Sequence, residues 1–124
     1  VILVDTSVWI DHLHRPVREL TDRLADDAVR CHPAVVEELA LGSIVNRTTI
    51  LALLSHLVGF VRVGHHELLG FVDAQRLWGR GLSAVDAQLL GSVRVTPGAT
   101  LWTRDRRLAQ AARELGVAHV EAST

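Results

Sequence analysis

The chain carries one cysteine, Cys31, and no methionine. A lone cysteine builds neither a disulfide framework nor a thiolate metal site, so a reducing compartment, the cytoplasm, is the expected location. Long apolar runs are also missing. The longest, such as Ile50 to Leu54, reach about five residues, against the roughly 20 that a membrane-spanning helix needs, so no membrane role is expected. The sequence opens directly in Val1-Ile2-Leu3-Val4, with no basic leader or small-residue cleavage site, and no secretory signal is expected. Neither sign of charge dominates: 13 basic and 14 acidic side chains leave a net charge of −1, and the whole-molecule field supplies no pull toward nucleic acid. The seven histidines follow no ligand spacing.

What is present is enough to fill a core. Hydrophobic residues make up 48% against 22% charged, which excludes a disordered chain, and 124 residues suit a single domain over 1–124. Val1 to Val4 is a continuous apolar, β-branched run ended by Asp5-Thr6-Ser7, the pattern of a central parallel strand buried on both faces. A short helix starts at Val8-Trp9-Ile10 and stops at Pro16, and Val17, Leu20, Leu24 and Ala28 recur at helical spacing after it. Val29 to Cys31 reads as a second strand, Pro33 opens a helix that Gly42 closes, and Ile44 to Leu57 reads as another helix. Phe60 to Val63 alternates between Gly59 and Gly64 as a third strand would. Helices are then predicted over His65 to Trp78, Ser83 to Val93 and Asp105 to Leu115, with strands at Thr100 to Thr103 and Val117 to Val120. The class is α/β: a mostly parallel central β-sheet flanked by helices on both faces. Ligands of such sheets bind beyond the carboxyl ends of the strands, which puts Asp5 and Asp105 on one rim.

Four acids stand out. Asp5 and Asp105 follow strands, Asp86 opens a helix, and Glu38 lies within one. If they converge, each like-charged pair at about 5–6 Å costs on the order of 3 kcal/mol at an effective dielectric near 20. Protonation or arginine would relieve this, and a hard divalent cation would relieve it while adding a catalyst. With one cysteine and no His pair at i, i+4, oxygen ligation favours Mg²⁺ or Mn²⁺ over zinc. Each acid also fits a plain structural role. Asp5 suits an Asx-type turn before a helix capped by Ser7, Asp86 completes a Ser83-x-x-Asp86 capping box, Asp105 suits an N-cap, and Glu38 suits a solvated helix face.

The segment Val1-Ile2-Leu3-Val4-Asp5-Thr6-Ser7-Val8-Trp9-Ile10-Asp11 closely resembles the opening of PIN-domain ribonucleases, above all toxins of the VapBC toxin–antitoxin type. The resemblance continues in order through Glu38-Leu39-Ala40-Leu41-Gly42, Gly81-Leu82-Ser83-Ala84-Val85-Asp86-Ala87 and Leu101-Trp102-Thr103-Arg104-Asp105, and so covers most of the chain. It implies a single PIN-like domain and a metal-dependent endoribonuclease in which Asp5, Glu38, Asp86 and Asp105 hold one or two Mg²⁺ or Mn²⁺ ions and activate water. Glu38 occupies the family's position, although its neighbour Glu37 is a second possible ligand. Thr6, Ser7 and Thr103 resemble polar residues that orient the carboxylates in that family, and they equally fit turn and cap hydroxyls. Asp11 and Asp73 are expected outside the metal shell. The resemblance also implies an RNA substrate, a homodimer and a cognate VapB-type antitoxin seated in a groove near the site.

Arg104, Arg106 and Arg107 flank Asp105 and are candidate phosphate contacts, with a solvated helix face as the plain alternative. His65-His66 opens a helix that RNA could touch. Trp9, Trp78 and Trp102 are expected in core or interface packing rather than stacked on bases. The apolar positions Trp9, Ile10, Leu13, Ile44 and Ile50 suit a dimer or antitoxin surface as well as the core. Two other functions fit the acids: a metal-dependent phosphatase or nuclease of another fold, and a catalytically silent PIN-like module that binds RNA or protein. Against an aspartyl-phosphate phosphatase, Ser7 stands where the second Asp belongs and the chain has no lysine.

Overall fold

The computed structural model describes residues 1–122. Its elements run β1 (Ile2–Val4), α1 (Thr6–His14), α2 (Arg18–Ala25), β2 (Val29–Arg30), α3 (Pro33–Ala40), α4 (Arg47–His56), α5 (His65–Gln75), α6 (Ala84–Arg94), β3 (Thr100–Trp102) and α7 (Arg106–Glu114). The three strands form a parallel sheet in the order β2-β1-β3, with Ile2 opposite both Val29 and Thr100, and Val4 opposite Trp102. Parallel neighbours need crossover connections, and helices supply them. All three residues of β1 are buried although successive side chains point to opposite faces, so the central strand is covered on both sides, as its unbroken apolar run predicts.

Around that strand a contiguous core gathers Val8 and Trp9 of α1, Val35 and Leu39 of α3, Leu89, Leu90 and Val93 of α6, Trp102 of β3, and Leu108, Ala111 and Ala112 of α7. Local chemistry sets several helix starts. Pro33 stands in the first turn of α3, whose N-cap His32 accepts the Ala34 N–H on Nδ1 at 2.9 Å. Burial lowers the pKa of His32, so its buried ring is neutral. Buried Gly91 lies mid-helix in α6, where a Cβ would stand 3.1 Å from Val63 Cγ2, so the missing side chain lets that segment pack close.

Two predicted strands are not strands. Phe60–Val63 joins no ladder, and in this stretch only Val58 bridges, to Cys31. Side chains of α6 take its backbone groups instead. Gln88 accepts the Val63 N–H at 2.9 Å and donates to its carbonyl at 2.8 Å, and the Ser92 hydroxyl donates to the Val61 carbonyl. Val117–Val120 reduces to a single parallel bridge between Ala118 and Leu101. Helix α4 starts at Arg47 rather than Ile44, because Asn46 adopts the left-handed conformation (φ 54°) and ends the preceding loop there. Helix α1 begins at Thr6 and α2 stops at Ala25. Among the described residues no helix is long and apolar enough to cross a membrane.

Candidate functional site

The carboxyl ends of β1 and β3 lie side by side, joined by the Asp5 N–H donating to the Trp102 carbonyl at 2.8 Å. That register brings residues 5–7 against residues 103–105, and two hydroxyls lace them together. Ser7 Oγ donates to Asp5 Oδ2 at 2.8 Å and accepts the Arg104 N–H at 3.0 Å. Thr103 Oγ1 donates to the same Oδ2 at 2.7 Å and accepts the Asp105 N–H at 3.0 Å. Each hydroxyl has one proton and both serve Asp5, so the 3.3 Å between Ser7 Oγ and Thr103 Oγ1 reflects a shared target. Asp5 is 6% exposed, and these charge-assisted bonds offset part of the cost of burying it. Although Asp5 stands at the N-cap position of α1, its carboxylate makes no cap hydrogen bond, and Ser7 lies inside that helix rather than capping it. The turn-and-cap reading of both residues is thereby corrected.

The other three acids approach from separate elements. Glu38 is on an exposed turn of α3, where its Oε1 accepts the Thr6 hydroxyl at 2.6 Å, beside Asp5. Its neighbour Glu37 is paired with Arg62, which holds Glu37 elsewhere. Asp86 completes the capping box of α6: its Oδ2 accepts the Ser83 N–H at 2.9 Å, and Ser83 Oγ accepts the Asp86 N–H at 3.0 Å. Asp105 caps α7 through Oδ1 and the Leu108 N–H at 2.9 Å. The structural roles expected of Asp86 and Asp105 are therefore present, and each uses only one carboxylate oxygen.

Electrostatics links the set. Burial raises the pKa of Asp86, and the nearby charges of Asp5 and Asp105 raise it further, against the lowering effect of the Ser83 hydrogen bonds. Among the described residues none of the four acids is ion-paired with Arg or His. Nor are three of them gathered closely enough to grip an ion without side-chain movement, and mutual repulsion favours that spread. The donor chemistry nonetheless suits a hard divalent cation. Every member is a carboxylate, and protein hydrogen bonds among the described residues reach one oxygen of each and leave Asp5 Oδ1, Glu38 Oε2, Asp86 Oδ1 and Asp105 Oδ2 available.

Of the three candidate phosphate contacts, Arg104 is engaged within the protein. Its guanidinium bonds Glu121 at 2.9 Å and Asp11 at 2.8 Å, and the Glu121 bonds lead in holding it charged. Asp11 is accordingly outside the acid cluster, and Asp73 is exposed on α5. Arg106 and Arg107 are exposed at the start of α7 and pair with no acid among the described residues. Trp9 and Trp102 are in the core, whereas Trp78 is 61% exposed, which removes it from core packing. Sequence reasoning passed over Glu121, which also accepts the Trp102 indole N–H at 2.7 Å, and Arg62, which separates Glu37 from Glu38. No local pattern marks either, since their partners lie 17 or more residues away. An apolar groove lined by Ile10, Leu13, Leu39, Ile44 and Val45 runs beside Glu38, so Ile10, Leu13 and Ile44 meet at one surface feature while Trp9 is buried.

No protein-family model matches the chain. Two curated relatives, each named Ribonuclease VapC32 and coming from two strains of Mycobacterium tuberculosis, are 57% identical over 121 residues, covering 98% of this chain and 98% of each relative. The chain belongs to the VapC-type PIN-domain toxin ribonucleases.

Proposed function

We propose that this protein is a Mg²⁺- or Mn²⁺-dependent endoribonuclease and the toxin of a type II toxin–antitoxin pair. The observation that carries the reading is the lacing of Asp5 to the Thr103–Asp105 turn, with Asp86 near enough to feel both charges and Glu38 bonded to Thr6. The names of the two relatives support RNA as the substrate. Asp5, Glu38, Asp86 and Asp105 would hold one or two ions through their available oxygens. A bound ion supplies a water of lowered pKa and a Lewis acid for the scissile phosphate. Thr6 fixes Glu38, and Ser7 and Thr103 fix Asp5, each by a hydroxyl proton, so these two carboxylates would be oriented to hold the ion. Arg106 and Arg107 offer uncommitted positive charge to the phosphates on either side of the cut, a part for which Arg104 is poorly placed because two carboxylates already hold it.

The groove beside Glu38 suits the antitoxin. It places five apolar residues next to an acid of the site, so an amphipathic segment lying there would cover the cluster as it binds. Exposed Leu53 and Val61 are apolar surface that a homodimer would cover. The lone buried Cys31, whose thiol burial pushes up to about 11, is unreactive and suits a cytoplasmic home.

The test is cleavage of a mixed structured RNA pool by the antitoxin-free chain with Mg²⁺ or Mn²⁺, with chelator, and beside Asp5→Asn prepared identically. Cutting at discrete sites that disappears with chelator and in the variant is the expected result. Equal cutting by both proteins would trace the activity to a contaminant. A folded, metal-bound wild type that binds RNA without cutting it would favour the silent binding module.

A further inference from the structure

The loop between α5 and α6 carries features that neither the fold nor the acid cluster explains. It holds Trp78, 61% exposed, next to Gly79-Arg80-Gly81, and both glycines are in the left-handed region at φ 71° and 75°. Trp78 stands outside the buried core, to which this loop contributes only Leu77, and most of its surface is open to water. The loop is pinned to α7. A Cβ on Gly81 would collide with the Arg107 guanidinium, so the Arg107 side chain lies across the glycine backbone, and Arg80 pairs with Glu114 at 2.8 Å. Arg80, Arg106, Arg107 and Gln110 line an open cleft of about 240 Å³. Trp78 borders a second, mainly apolar hollow with Leu68, Leu69, Val72 and Leu82, which reaches Ser83, the residue whose N–H holds Asp86. Arg106 of the cleft directly follows Asp105 in the chain, and Ser83 of the hollow is hydrogen-bonded to Asp86, which ties each cavity to one acid of the site.

The charge in this cleft runs against local helix preference. Arg106 and Arg107 follow the Asp105 cap in the first turn of α7, where the helix dipole disfavours cations. Neither arginine pairs with an acid among the described residues, so both guanidinium groups are open to an anionic ligand. We infer that Trp78 and the Arg80–Arg106–Arg107 cleft form a subsite for single-stranded RNA leaving the acid cluster, one base stacked on the Trp78 indole and the adjoining phosphates held by Arg106 and Arg107. A stacking platform requires an unpaired base, which is why the ligand is single-stranded rather than duplex RNA. This rests on the ribonuclease reading for its substrate class, and it adds residues that set where along the strand the cut falls.

The experiment measures binding apart from cleavage. A short fluorescein-labelled oligouridylate is titrated, by anisotropy, into the Asp5→Asn chain and into the same chain carrying Trp78→Ala, Trp78→Phe or Arg106→Ala with Arg107→Ala. Each is repeated across a series of salt concentrations, with sedimentation of every variant. Trp78→Ala is expected to weaken binding by about 5- to 150-fold, and Trp78→Phe, which keeps a ring, to restore most of it. The double arginine variant is expected to lower the slope of log K against log salt by about 1.4, the share of two phosphate contacts on a single strand. Trp78 is the tryptophan exposed to solvent, so RNA is also expected to quench its emission in Asp5→Asn and leave the emission of the Trp78→Ala chain unchanged.

Affinity and salt slope equal to those of Asp5→Asn in these variants would overturn the subsite. So would a Trp78→Ala chain that sediments as a smaller species with undiminished RNA affinity, which would assign the indole to a contact between copies. The two readings fail separately. RNA that binds through Trp78 but is never cut by the wild type under any metal defeats the endoribonuclease alone, whereas metal-dependent cutting with indifferent Trp78 and arginine variants defeats the subsite alone.

Discussion

Thr103→Val isolates the lacing on which the site depends. Valine keeps the shape of the threonine and removes its hydroxyl, which takes from Asp5 Oδ2 its 2.7 Å bond and from the Asp105 N–H its acceptor at 3.0 Å. A hydrogen bond to a charged group contributes about 1.5–3 kcal/mol. Thr103 is half-buried and Ser7 remains on the same oxygen, so the lower part of that range, about 2 kcal/mol, applies. Unfolding entropy of about 2.1 cal/mol/K per residue over 124 residues gives ~0.26 kcal/mol/K, and the melting midpoint should fall by about 8 °C. The same loss frees Asp5 and Asp105 to move independently, and removal of such a supporting contact costs about 10- to 100-fold in metal affinity or activity. Circular dichroism melts and the Mn²⁺ concentration that gives half-maximal RNA cleavage measure the two effects. Thr103→Ser, which keeps the hydroxyl, should recover most of both. A Thr103→Val chain that melts within about 1 °C of wild type and needs no more Mn²⁺ would refute the claim that this hydroxyl ties the two acids together.

Asp5→Asn, Glu38→Gln, Asp86→Asn and Asp105→Asn should each remove most RNA cleavage, while Asp73→Asn, on the exposed face of α5, should keep it. Asparagine retains the oxygen that accepts the Leu108 N–H, so Asp105→Asn should melt close to wild type, whereas Asp105→Ala should lose about 1 kcal/mol as well as activity; loss of activity only in variants that unfold would favour the capping reading. Glu19 gives a pH signature. Burial raises its pKa, but the Ala122 N–H and the His119 ring, at 2.6 and 2.7 Å, outweigh that and the net shift is downward. A depressed carboxylate adds stability above its unfolded pKa and loses it as pH falls through the folded value. Glu19→Gln should therefore lower the melting midpoint at neutral pH and converge on wild type in acid, and a gap that persists or widens at low pH would contradict the pairing. Gly81→Ala should cost about 1–2 kcal/mol for placing a side chain at φ 75°, and it should displace Arg107; an unchanged melt would count against that loop geometry.

The amino-acid sequence alone determined the α/β class, the central strand and the order of the acids, because these rest on patterns confined to a few neighbouring residues. An unbroken Ile2–Val4 run is covered on both faces wherever it lies, and Ser83-x-x-Asp86 closes a capping box within one helical turn. The alternation of Phe60–Val63 was just as legible and misled, since a strand needs a partner ladder and α6 satisfied these backbone groups with Gln88 and Ser92 instead. Tertiary structure decided whatever depends on residues far apart in the chain. Thr103 reaches Asp5 across 98 positions, Arg62 draws Glu37 away from Glu38 across 25, and Glu121 with Asp11 engages Arg104. A carboxylate or guanidinium has the same local sequence whether it caps a helix, meets a counter-charge or stands free beside a ligand. Its role is set by what folding brings within about 3 Å, the reach of a hydrogen bond.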